Sequence, residues 1–157
     1  MAHQLSTSEI AALRHWSEFG QPGEPSPRRI QATDWKTTGF RKPIKSPWNQ
    51  SVPHEQLPKL INGFRPREME DKWFIYTDGP DDRGRALIHM ARSWTGHKMA
   101  EIEMYVPVGP SELAAGVLPV MTSITWESNE ECIRGNNEQR AKDTALRVCS
   151  WILCVTF

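Results

Sequence analysis

The chain has no apolar run near the roughly 18 residues that a membrane-spanning helix needs, so a membrane partner is not expected. It is poor in cysteine. Cys132, Cys149 and Cys154 are an odd and sparse set, unlike a disulfide framework, and a reducing, cytoplasmic setting follows as the expectation. The first residues include His3 and Glu9 but no basic cluster leading into an apolar block, so no secretory signal is read there. Gly-x-Gly-x-x-Gly, Walker and Gly-x-Ser-x-Gly patterns are all missing, which disfavours nucleotide-dependent kinases and classical dehydrogenases. No Cys-x-x-Cys or His-x-x-x-His pair occurs, so neither a metal nor a cofactor is expected. Repeats and low-complexity tracts are lacking as well.

The 157 residues, 38% of them hydrophobic, suffice for one modest core, and a single domain over 1–157 is the expected organisation. Residues 1–20 read as a helix. Ser6 and Glu9 fit a capping box, Ile10, Leu13 and Trp16 share one face with Phe19 a turn further, and Gly20 with Pro22 ends the run. Trp16 is expected to anchor this helix in the core.

Residues 21–67 hold eight of the twelve prolines, and the expectation is an extended arm without long regular elements. Net charge is zero over the whole chain, yet residues 28–67 carry nine basic side chains against two acidic ones. The arm is therefore strongly cationic and the remainder equally anionic.

Residues 68–126 carry the sheet. Lys72-Trp73-Phe74-Ile75-Tyr76-Thr77 suits a buried strand, 78–84 a turn, 85–94 a second strand, and Thr95-Gly96 a tight reversal. In the third strand, Ala100, Ile102, Met104 and Val106 alternate with Met99, Glu101, Glu103 and Tyr105. A short helix over 111–118, a fourth strand over 120–126 and a closing helix over 138–157 complete the reading. Cys149 and Cys154 lie in that last apolar run and are taken as core thiols. The fold class is α+β: an antiparallel sheet of three or more strands flanked by an N-terminal and a C-terminal helix, with a long proline-rich basic arm.

The string His89-Met90-Ala91-Arg92-Ser93-Trp94-Thr95-Gly96-His97 concentrates the chemistry. Strand alternation sets Leu87, His89, Ala91 and Ser93 on one side, and Ala86, Ile88, Met90, Arg92 and Trp94 on the other. Arg92 among apolar neighbours needs a carboxylate, a set of carbonyls or an anionic ligand, because an unpaired buried guanidinium is costly. Trp94 would wall the organic part of such a ligand. Ser93 and Thr95 would donate to its oxygens, and Lys72 would support them. His89 and His97 are the acid–base candidates, since an imidazole titrates near neutrality. The plainer alternatives are a hydrogen-bonded structural His89 and an Arg92 that clamps Glu101, Glu103 or another carboxylate. Asp78, Asp81 and Asp82 read as a solvated turn, without the spacing of a calcium loop.

In the arm, Trp35, Arg41, Lys42, Lys45 and Trp48 interleave rings and cations as a single-stranded nucleic-acid surface does. Equally, the arm can offset the acidic body, or lid a pocket.

From Lys72 to Tyr76 and from Arg92 to Gly96, the chain resembles a group of small uncharacterised proteins that share a Lys-Trp-Phe-Ile-Tyr strand and an Arg-Ser-Trp-Thr-Gly turn. The likeness covers about residues 64–106. It implies a loose association with ADP-ribose and nucleotide-processing proteins, marks Lys72, His89, Arg92 and Thr95 for testing, and assigns no reaction. Together these readings favour a small enzyme (a hydrolase or transferase), or a ligand-binding domain, acting on a small anionic and phosphorylated or nucleotide-like molecule. Arg92 would be its anion clamp and His89 its acid–base group. The alternatives are a non-catalytic RNA- or partner-binding module working through 28–67, and a specialised biosynthetic cyclase or transferase.

Overall fold

The structure, a computed structural model, describes residues 4–157; the first three residues of the segment read as the N-terminal helix, with the start on which the absence of a signal was read, lie outside the described residues. Four α-helices and five strands follow in the order α1 (Thr7–Phe19), β1 (Pro43–Ser51), α2 (Leu57–Asn62), β2 (Trp73–Asp78), β3 (Arg85–Arg92), β4 (Lys98–Tyr105), α3 (Pro110–Ala114), β5 (Val120–Glu127) and α4 (Glu138–Leu153). The strands form one antiparallel sheet in the spatial order β1-β5-β4-β3-β2. This is an α+β fold. No helix among the described residues is long and apolar enough to cross a membrane.

One face of the sheet makes the core. Ile88, Ile102, Met121 and Ile124 meet Val148, Cys149 and Ile152 of α4, with Leu60 of α2 and Phe19 closing the sides. The period-two pattern of β3 and β4 dictates this, because alternate residues of each strand are apolar and burying them drives the helices onto that face. On the other face, Ile30 and Trp35 of the arm pack on Phe74 and Tyr76 of β2.

The arm is more regular than its prolines suggest. Residues 43–51 pair with β5 as the edge strand β1, and α2 follows within the same segment. Pro43 and Pro47 lack an N–H, but an edge strand has one side without ladder partners, and the register shifts between Pro47 and Gln50. The prolines thus restrict the strand to the edge rather than forbid it. The buried Glu127 carboxylate fastens the entry to β1 by accepting the amides of Arg41 and Lys42, the latter at 2.8 Å.

Three further expectations change. Trp16 remains 45% exposed and Leu13 56%, because α1 docks through its C-terminal end and through Phe19, not through its apolar stripe. Cys154 is exposed; only Cys149 is a core thiol, and burial pushes it up to about 12. Strand β3 ends at Arg92, so Trp94 leaves the face it was assigned to. At the other end of α1 the Ser6 half of the expected box is in place: its hydroxyl accepts the Glu9 amide at 3.2 Å.

Candidate functional site

Arg92 emerges at the end of β3 on the core face, beneath the last turn of α1. Its guanidinium donates to the carbonyls of Glu18 at 2.5 Å and Ser17 at 3.0 Å, and it lies 4.9 Å from the centre of the Trp73 ring. Helix C-terminal carbonyls have no partners within the helix and carry partial negative charge, so a cation there is well placed. Burial lowers the guanidinium's affinity for its proton, and the Glu18 carboxylate opposes that shift. Of the three partners that the sequence permits for Arg92, the fold supplies carbonyls. The alternative of a clamp on Glu101 or Glu103 is corrected accordingly.

A cavity of about 420 Å³ lies beside Arg92, between α1, α4, the core face of β3 and β4, and the 128–137 loop. Trp73, Met90, Met99, Ala141 and Ala145 give it an apolar floor, while Arg14, Arg92 and Arg140 stand in its walls with Glu18, Asn136 and Thr144. Arg140 spends one N–H on the Arg134 carbonyl, and Arg14 forms no ion pair among the described residues. Thr144 donates to the Glu18 carboxylate at 3.2 Å and joins α4 to α1 at the rim. Cys132 also lines the space. Such a volume, mostly apolar with a few convergent polar groups, is typical of small-molecule sites.

Reading the sequence strand by strand missed Arg14 and Arg140. The signal was helical: Arg14, Ser17 and Glu18 at i, i+3 and i+4, and Arg140 with Thr144 at i and i+4, each set on one helix face.

His89 is on the opposite face and does not line this cavity. It is buried, with its ring stacked on Tyr76 at 4.3 Å and 9°. Nε2 lies 2.8 Å from Asp78, and Nδ1 lies 3.9 Å from the Glu101 carboxylate without a hydrogen-bond partner among the described residues. Burial and the nearby Lys98 ammonium lower its pKa, against the opposing pull of Asp78 and Glu101. A proton passed from His89 to a molecule held at Arg92 would have to cross the sheet. The two residues do not form one site. His97 lies past the turn, with Nδ1 2.9 Å from the Thr38 hydroxyl.

Around the turn, Ser93 is buried and its hydroxyl donates to the Asp71 carbonyl at 2.7 Å, so that hydroxyl is committed to structure. Trp94 and Thr95 are exposed, and Lys72 lies against the Trp94 ring. These two residues line an open cleft with Trp35 and Lys36 of the arm.

Of the arm's other candidates, Trp35, Trp48, Lys45 and Arg41 are engaged by packing or pairing. Trp35 donates to the Ser93 carbonyl and packs on Phe74; Trp48 packs against the core beneath Lys142. Lys45 pairs with Glu103 at 2.8 Å and Arg41 with Glu131 at 3.6 Å. Lys42 contributes its backbone amide to Glu127. Two of the arm's candidate cations, Arg41 and Lys45, thus face acidic side chains of the rest of the chain.

The fold and its cavity define the class: an α+β domain with a five-stranded antiparallel sheet and an arginine-walled chamber under its helices. No family model, curated protein or solved structure matches the chain. Among the described residues no group of three His, Cys, Asp or Glu side chains is arranged to hold a metal ion.

Proposed function

We propose that the protein binds a small amphipathic anion in the cavity between α1, α4 and the sheet. The observation that carries this reading is the placement of three arginines, Arg14, Arg92 and Arg140, around an apolar floor of aromatic and methionine side chains. An organic body displaces water from the floor, and a carboxylate, sulfonate or phosphate meets guanidinium groups that retain free N–H donors. Arg92 has a double task, since it also holds the end of α1. Arg14 and Arg140 carry no comparable structural load. The reading is one of binding, and it assigns no reaction.

Calorimetric titration with naphthyl phosphate and naphthalene sulfonate tests it, with neutral naphthol as the control. Both anions are expected to bind, naphthol more weakly, and the Arg14→Ala/Arg140→Ala double variant is expected to lose about tenfold or more in affinity, the worth of one charge-assisted contact. Failure of both anions to bind, or equal affinity in the double variant, overturns the reading.

A further inference from the structure

The turn after β3 lies outside the cavity, yet it carries the most exposed aromatic ring among the described residues, Trp94 at 66%. The ring is held in place. Its Nε1 donates to the Met69 carbonyl at 3.2 Å, and the Lys72 ammonium sits 5.7 Å from the ring centre. Facing it is the arm, brought close because Gly96 has no side chain: a Cβ there would lie 2.6 Å from the Lys36 carbonyl oxygen. The Thr38 amide donates to the Gly96 carbonyl at 2.8 Å and locks the approach. Two segments some sixty residues apart in sequence therefore build one cleft, in which Thr33, Asp34 and Lys36 face Trp94 and Thr95.

Lys36 lines the cleft and Lys72 stands beside it on the Trp94 ring; neither forms an ion pair among the described residues, whereas one Asp34 oxygen already accepts the Gln31 amide at 2.7 Å. The local balance favours an anion. Only one aromatic platform is free, because Trp35 is stacked on Phe74 at 6.3 Å and its N–H is spent on Ser93. A planar base would find no second ring to close over it. A saturated ring needs only one apolar platform, and its hydroxyls find Thr33, Thr95 and the second Asp34 oxygen at the rim.

We propose that the cleft between the arm and the turn after β3 binds a sugar ring bearing an anionic substituent. The ring lies on the exposed face of Trp94, and its carboxylate or phosphate meets Lys36 or Lys72. This site is separate from the arginine-walled cavity, and neither depends on the other.

The test is a titration of the nitrogen-labelled 157-residue chain, followed by the Trp94 indole N–H and the Thr95 and Gly96 amides. Glucuronate and glucose phosphate serve as probes; glucose, inorganic phosphate and uridine monophosphate serve as controls. Both probes are expected to shift these three signals and to bind about tenfold more tightly than glucose or phosphate alone. Trp94→Ala, at an exposed position, is expected to abolish binding with its circular dichroism unchanged, and Lys36→Ala to weaken it about tenfold. Shifts caused equally by inorganic phosphate would reduce the cleft to a cationic patch and overturn the proposal. Tighter binding of uridine monophosphate than of either sugar probe would overturn it in favour of a base. Silence from both probes also overturns it.

Discussion

Arg92 and Trp73 converge on one atom. The Glu18 carbonyl accepts both the Arg92 guanidinium at 2.5 Å and the Trp73 indole N–H at 2.9 Å, while the guanidinium rests on the face of that same indole. The end of α1 is thereby tied to β2 and β3 by two side chains that also line the cavity. Loosening either partner should be felt first in the helix.

Arg92→Ala is accordingly expected to cost about 1–3 kcal/mol, since it removes hydrogen bonds made by a charged group and the cation at a helix C-terminus. Hydrogen exchange should speed up along α1 before it does in β3–β5. Arg92→Lys should recover only part of the loss, because an ammonium cannot span two carbonyls with a planar fork. Equal acceleration across all elements would count against this role.

Asp71 and Glu127 give stability an acid limit. Burial pushes the Asp71 carboxyl up, but the Arg67 side chain, Gln21 and the Arg67 amide outweigh it and hold the group below its ordinary value. Burial likewise opposes Glu127, and the amides of Arg41, Lys42, Asn129 and Ser128 prevail. A depressed folded pKa means that the unfolded chain binds more protons. The stabilisation is then present above the unfolded value, about pH 4, and fades as pH falls through the folded one. Urea midpoints measured from neutral pH downward should drop in that window, with a shallower drop in Asp71→Asn, whose starting stability is lower.

His89 sets a second, milder dependence at higher pH. Its folded pKa is depressed, so its contribution is complete above the unfolded value of about 6.5 and declines as pH falls toward the folded one. His89→Gln should flatten the stability profile between those values. An NMR titration in which His89 protonates above its ordinary value would contradict the burial argument.

Gly96→Ala tests how the arm is held. Its φ is +72°, and a Cβ would press on the Lys36 carbonyl, so the substitution is expected to cost roughly 1–3 kcal/mol and to release the arm near Trp35. Faster proteolysis within 30–40 would report it. An unchanged digestion pattern would argue that Gly96 is replaceable.

Arg41 and Lys42 hold Glu127 with backbone amides, so their side chains are dispensable for that contact. Arg41→Ala and Lys42→Ala should each leave stability within about 0.5 kcal/mol, whereas Glu127→Ala deprives the amides of Arg41, Lys42 and Asn129 of their buried acceptor and should cost several times as much. Denaturant titration of the three variants decides it.

Local information was enough for much of this protein. The capped start of α1, the meander over β2, β3 and β4, the strand β5 and the closing helix α4 all follow from residue periodicity and turn chemistry, which act within a few residues. The division of β3, with His89 on one face and Arg92 on the other, was likewise written in its alternation. What distance decided is different in kind. Strand β1 exists because β5 offers it an edge where Pro43 and Pro47 do no harm; Trp16 stays 45% exposed because α1 buries Phe19 instead; Arg92 finds its carbonyls in a helix more than seventy residues away. Partners of that sort belong to no local pattern. They arise only when burial of the apolar faces brings remote segments together, and that assembly alone set three arginines around one chamber and a bare tryptophan beside the arm.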